Sequence, residues 1–452
     1  MNMKSNLIKW LIFSFVLFIF ASSKHFLLGS SAWDFGIFEQ FSWLIANGKI
    51  NEISSLRGIK PLQDHFSILL VPIAYVYKLI PSGFTLIALQ SFALGSLPTL
   101  SNILFSKEKI SAKLKLGLYL AICFTPIIFL VNIANFHPEV LTIPFVLLAI
   151  SEIKKRRNIA FIIYLFLILS AKKSQVLLGF GLGIYAFSSG KIFKGLSSLI
   201  LSSLWWFIAS GISSQGGDYI DMRLGYLGNS IVDIIINLIS KPFLIFTEVS
   251  PGEILLYTVG LFIPFIFLLG KKSIISFISL MPIYLTNIIS SSGSQRELYS
   301  QYSISLLPFI IVGCWEAIED KSKWKEESIK RIFSLTLMAL VIGFIGYSRI
   351  GYFQSRYIPN LSEALEFQKI TYGIKKDFSI LTTDKYASRL SNRKFIHSIE
   401  TNKLNRLNTY DLILLPINGG INTTRFQELT NTANALGLKC EKKNKFFITC
   451  NK

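Results

Sequence analysis

The stretch LSSLILSSLWWFIASGI, Leu196 to Ile212, carries no charged residue. Two more apolar runs match it, Ile254 to Leu269 and Ile332 to Tyr347. A helix of about 20 apolar residues crosses the hydrocarbon core of a bilayer, and tilted or imperfect ones vary around that length. A water-soluble core has no use for so many such runs. Working outward, the chain of 452 residues is 51% hydrophobic and only 16% charged. Soluble domains carry roughly 25% charged residues. The expectation is an α-helical polytopic membrane protein with about 11–13 transmembrane helices.

The net charge is +20. The basic residues cluster between apolar runs, where cytoplasmic loops meet anionic lipid heads. No basic stripe with interleaved aromatics lies outside those loops, so no nucleic-acid partner is expected and membrane lipids are. The basic clusters are Lys4/Lys9, Lys107 to Lys115, Lys154 to Arg157, Lys191/Lys194, Lys271-Lys272 and Lys321 to Arg331. Placed inside, they put the N-terminus in the cytoplasm and the C-terminus outside, in a plasma (inner) membrane protein. Ala21-Ser22-Ser23 has the look of a signal-peptidase site, but a chain full of later spans gains little from a cleaved one, so an uncleaved first helix is expected. Two stretches resist simple crossing: His65 to Ile80 reads as re-entrant or interfacial, and residues 231–248 read as an interfacial helix.

That orientation gathers polar residues on the outer face: Asp34 and Glu39, Asp64-His65, His137-Pro138-Glu139, Lys172-Lys173, Asp218, Asp221 and Arg223, and Gln295-Arg296-Glu297. Ionisable groups beside apolar runs are costly and usually serve a cavity or a function. Asp34, His65, His137 and Glu139 fit that description best. Glu39, Asp218 and Asp221 read simply as polar loop residues. The long first outer loop, 30–63, opens with Phe35, Ile37, Phe38, Phe41, Trp43 and Leu44, an amphipathic stretch expected to lie on the membrane surface.

Residues 1–348 are read as the transmembrane helical domain and 349–452 as a small C-terminal extracytoplasmic α/β domain. Strands are expected at Phe378 to Thr382, Lys394 to Ile399, Tyr410 to Leu415 and Phe446 to Thr449. Helices are expected at Lys385 to Leu390 and Arg425 to Leu436. Neither a glycine-rich phosphate loop nor a zinc-type spacing is present. Cys123 and Cys314 lie inside apolar runs as core residues. Cys440 and Cys450 flank a turn at Lys442 to Lys445; they form either a disulfide or two free thiols.

Trp33-Asp34-Phe35-Gly36-Ile37-Phe38 resembles the opening signature of a prokaryotic family of multi-pass membrane proteins of unknown function, domain of unknown function 2079. Asp64-His65-Phe66-Ser67, Asn135 to Glu139, Gln301-Tyr302-Ser303 and Ser388 to Arg393 resemble its later motifs, in order along most of the chain. That family is similar to the type C glycosyltransferases, which take a sugar from a polyprenyl-phosphate carrier. The resemblance implies a GT-C-like fold, a lipid-linked sugar donor as partner, and Asp34 as the essential acid after the first span. It expects acids where this chain has Lys173 and Ser174, a departure that weighs against a two-acid or metal site.

For such a reaction Asp34 is the candidate base. Lys172, Lys173 and Arg296 are candidates to hold phosphate. His65, His137 and Glu139 are candidates to bind a divalent ion or to position the acceptor, and Asp64 is a further candidate for substrate binding. The rival readings are a transporter or lipid flippase, disfavoured by the absence of an internal repeat, and a non-catalytic membrane assembly protein.

Overall fold

The computed structural model describes residues 3–155, 157–213, 219–399, 404–417 and 423–451. Asp218 and the side chain of Asp221 lie outside what is described, as does Arg156. The chain is a bundle of apolar helices with a five-stranded sheet region at one end.

Among the described residues six helical stretches are long and apolar enough to cross a membrane, including Met3–Phe26, Gly83–Phe105, Ala112–Ala134 and Ile192–Ile212. The remaining expected crossings are shorter helices. Ile143–Lys154 and Asn158–Leu169 have 12 residues each, Val176–Ser188 has 13, and Ile274–Ile288 and Leu307–Lys321 have 15. Prolines at first-turn positions start several of them, and 3-10 turns such as Lys173–Gln175 extend their ends. The stretch Met222–Ser240 is apolar enough to span but is not continuous. Gly228, at φ 153, separates the turn Gly225–Leu227 from the helix Ile231–Ser240. Ten helical residues rise only about 15 Å, which agrees with an interfacial helix.

The basic loops converge on one end. Lys107 and Lys109 both pair with Glu319, at 2.6 and 2.7 Å, and Lys154 pairs with Glu316 at 3.1 Å. Lys321 Nζ donates to the Phe267 and Leu269 carbonyls, 2.7 Å each. Asp34 and its companions gather at the opposite end, where the sheet region docks.

Helices approach closely at small residues, as expected where lipid supplies no hydrophobic drive. A Cβ at Gly95 would lie 2.7 Å from Ser14 Cα on the first helix. Gly346 has open space around it. Gly95→Leu is therefore expected to cost about 1–3 kcal/mol by overpacking, read as a lower melting temperature in detergent. Gly346→Leu should melt like the wild type; equal melting of both variants would refute the close crossing.

The sheet has strands β1 (Ile380–Thr382), β2 (Ile396–Ser398), β3 (Leu412–Pro416), β4 (Lys439–Lys442) and β5 (Phe447–Asn451), in the order β2-β1-β3-β5-β4. β1 is parallel to β2 and β3, while β5 is antiparallel to β3 and β4. Alternate residues face opposite ways. Ile380, Leu412, Leu414 and Phe447 pack with Leu28, Ala32 and Phe367, whereas Leu381, Ile413 and Leu415 pack beneath Leu429 and Ala433. Cys440 and Cys450 sit opposite one another on β4 and β5 and are joined by a disulfide. The peptide holding both cysteines is expected to gain two hydrogens on reduction; an unchanged mass would show free thiols.

The first outer loop departs from expectation. Phe35, Ile37, Phe38, Phe41 and Leu44 are buried, not laid on a bilayer. The helix Ile37–Ala46 turns this face onto Leu70, Ile73, Ala74 and Tyr77 of the helix Leu70–Leu79. Burial against protein removes the same apolar area from water as a membrane surface would, so the amphipathic pattern alone does not separate the two. The polar side meets the sheet region. Gln40 Nε2 donates to the Lys394 carbonyl at 3.1 Å, Ser55 Oγ to the Ile396 carbonyl at 2.7 Å, and Lys394 pairs with Glu52 at 2.7 Å.

Candidate functional site

Asp34 lies in a π-turn, Ala32–Gly36, which begins where Ser31 Oγ accepts from the Trp33 amide at 3.1 Å. Such turns recur at functional sites because they re-aim a side chain. The Phe35 ring on one side is 1% exposed, while Asp34 and the Trp33 ring on its other side are exposed. Its Oδ2 accepts from Asn135 Nδ2 at 3.1 Å. The carboxylate is thus accessible yet oriented, which is what a base needs.

Asn135 belongs to the Asn135 to Glu139 motif, and Gln90 holds that motif from both sides. Gln90 Nε2 donates to the Asn135 carbonyl at 3.1 Å, and the His137 amide donates to Gln90 Oε1 at 3.0 Å. Behind them Lys172 Nζ meets Glu139 Oε1 at 3.0 Å, with side chains 9% and 3% exposed. Burial by itself would raise the Glu139 carboxyl, but Lys172 and then His137 hold it below the usual carboxylate range. Burial would likewise lower Lys172, and Glu139 lifts it above the usual lysine range. Burial keeps His137 below the usual histidine range, against the opposing pull of Glu139. This corner therefore holds a buried ion pair with the His137 imidazole beside it.

Tyr302, from the Gln301 to Ser303 motif, closes the cluster. Lys172 Nζ stands 6.0 Å from its ring centre, and Arg223 Nη2 donates to its hydroxyl at 3.0 Å. Asp64 joins through charge with Lys172, and its Oδ1 accepts from Arg57 Nε at 3.1 Å. Burial raises the Asp64 carboxyl despite that guanidinium. His65 Nε2 lies 3.6 Å from Asp64 Oδ2. Phe66, in the left-handed region at φ 51, ends the helix Pro61–His65 and turns its ring onto Trp205 at 5.4 Å. Lys173 stands over the Trp206 ring, 4.3 Å from its centre.

Arg296 is set apart. Its Nε and Nη2 donate to Glu253 Oε2 at 3.0 and 2.7 Å, and its Nη1 to the Ser290 carbonyl. Those donors are already used to tie the loop 289–297 to the helix Pro251–Phe262. Glu39, read from sequence as a polar loop residue, is instead 3% exposed. It accepts from Ser391 Oγ at 2.6 Å and Tyr77 hydroxyl at 3.2 Å, and burial raises its carboxyl. It joins the first loop to the sheet region.

Sequence reasoning missed Asn135, Arg57, Tyr302 and Lys24 as site residues. Lys24, 2% exposed at the end of the first helix, donates to the Ala134 carbonyl and to the Tyr299 hydroxyl, the latter at 2.9 Å. The available signal was a lysine ending an apolar helix just before Asp34, and Asn135 and Tyr302 stood within recognised motifs. Among the described residues no three His, Cys, Asp or Glu side chains converge as a metal site. The divalent-ion role set for His65, His137 and Glu139 lacks that convergence.

The fold has solved counterparts. ArnT from Cupriavidus metallidurans bound to undecaprenyl phosphate superposes with a TM-score of 0.56 and 9% identity, over 99% of this chain and 98% of that one. The apo state of the same ArnT gives 0.51 and 9%, over 98% and 97%. The chain thus shares the fold of ArnT over nearly its whole length. No curated protein matches the sequence. The family model described as predicted membrane protein (DUF2079) matches residues 24–444, and the chain belongs to that family of integral membrane proteins.

Proposed function

We propose that this protein transfers a sugar from a polyprenyl-phosphate carrier to an acceptor hydroxyl at the end of the bundle that holds Asp34. The observation that carries the reading is the exposed Asp34 carboxylate, oriented by Asn135 at the edge of a buried charged cluster. It occurs in a fold shared with ArnT, which was solved bound to undecaprenyl phosphate. In the step proposed, Asp34 takes the proton of the acceptor hydroxyl. That oxygen bonds to the anomeric carbon, and the bond from that carbon to the phosphate oxygen breaks, leaving the polyprenyl phosphate. Lys173 is the cation proposed to meet the leaving phosphate, since Lys172 is matched to Glu139 and Arg296 to Glu253. Lys172 and Arg223 set the positive field around it. His65 and His137 line the acceptor side as positioning residues.

The reading places this end, with the disulfide-bonded sheet region, outside the plasma membrane and the paired basic loops in the cytoplasm. The test is native mass spectrometry of the full chain in detergent with added undecaprenyl phosphate. Retention of one carrier, weakened at least about tenfold by Lys173→Ala, is expected. A folded wild type that retains none would overturn the proposal. A carrier-binding scaffold without transfer is the second reading, favoured by Lys173 and Ser174 standing where the family resemblance expects acids. Carrier binding without any sugar turnover would select it.

A further inference from the structure

Beside the Lys172–Glu139 pair lies a partly open cavity of about 40 Å³. Its lining includes Glu139, Ser174, Gln175, Asn287, Tyr302 and Ser305. A water needs roughly 10–15 Å³ of such space, so the cavity has room for a hydroxyl-bearing group. Two acceptors in its walls stand open. Glu139 and Gln175 are 2% and 4% exposed, and Glu139 Oε2 and Gln175 Oε1 are both buried with no hydrogen-bond partner. Three nearby donors are spent elsewhere: Lys172 on Glu139 Oε1, Asn287 Nδ2 on the Tyr257 hydroxyl and the Tyr302 carbonyl, and Thr286 Oγ1 on the Pro282 carbonyl. Two buried acceptors left open cost free energy unless something donates to them.

We propose that this cavity is the subsite for one hydroxyl group of the transferred sugar, which donates to Gln175 Oε1 beside the Glu139 carboxylate. The inference rests on the glycosyltransferase reading above and names the feature of the sugar that is recognised. A hydroxyl fits better than an ammonium because the Glu139 charge is already matched by Lys172 at 3.0 Å. A second cation there would be desolvated without a counter-charge. A phosphate would set its negative charge directly against the Glu139 carboxylate that lines the cavity.

The test uses the full chain in lipid nanodiscs and saturation-transfer NMR. The probes are D-glucose, D-mannose and D-galactose, each with its single-position deoxy analogues. In the wild type one deoxy position of the sugar that binds is expected to lose about tenfold in affinity, the worth of one hydrogen bond. In Gln175→Leu that position should bind no worse than its parent sugar. Gln175→Met replaces the leucine variant if the latter does not fold. Undecaprenyl phosphate retention is measured on the same samples. Carrier binding with no sugar binding, with equal binding of all analogues, or with discrimination that survives both variants overturns the subsite and leaves the carrier reading intact. Loss of carrier binding in the wild type overturns the reading beneath it.

Discussion

Asp34→Asn is expected to reduce sugar transfer by about 10²- to 10⁴-fold, the usual share of a positioned general base, while leaving the fold intact. The substitution is isosteric, and the side chain is exposed. The Asn135 Nδ2 donor, 3.1 Å away, still finds an amide oxygen to accept it. Stability should therefore move by no more than about 0.5 kcal/mol. The measurement is transfer of a labelled sugar from its polyprenyl phosphate in proteoliposomes, set beside the melting temperature. Turnover above a tenth of wild type would remove Asp34 from the chemistry. A collapse in melting temperature would mean instead that the carboxylate is structural.

The second large effect is expected at Lys172. With its partner Glu139 3% exposed, Lys172→Met leaves a buried carboxylate uncompensated. Breaking a buried pair in this way costs about 3–5 kcal/mol, whereas replacing both members with apolar residues is often neutral. Lys172→Met should thus melt far below wild type, and Lys172→Met with Glu139→Leu should recover most of the loss. If instead the single variant melts normally and only loses the carrier, Lys172 serves the phosphate directly. The pH dependence has a defined sign. Glu139 is depressed, so its contribution is present above the ordinary carboxylate value of 4.5 and is lost as pH falls through the lower folded value. Lys172 is raised, so its contribution is present below the ordinary lysine value of 10.5 and is lost as pH rises through the higher folded value. The pair should therefore be insensitive to pH across the neutral range.

The Glu39 contact with Ser391 and the Gln40 contacts with 393–394 give the sheet region a role in holding the first loop. Asp34 sits on that loop, so the sheet region supports the position of the candidate base through the turn 32–36. Gly36 marks the closeness: a Cβ there would come within 3.4 Å of Ser388 Cα.

Some of this was legible in the chain alone. Bilayer thickness acts on each apolar run by itself, so runs such as Leu196 to Ile212 declare a membrane protein without reference to their neighbours. Strands β1, β2, β3 and β5 carry enough apolar side chains to show themselves locally. β4 does not: Lys439–Lys442 is a polar edge strand with no apolar alternation, and only its pairing with β5 defines it. The motifs around Asp34, His137 and Tyr302 were visible, but their partners were not. Lys172 finds Glu139 33 residues away, and Arg296 finds Glu253 at a separation of 43. A charge in sequence looks the same whether it will be matched, exposed or buried. Likewise the apolar face of Ile37–Ala46 could be satisfied by lipid or by protein. Only the packing of the Leu70–Leu79 helix and the docking of the sheet region decided between them, because burial energy depends on area covered and not on what covers it.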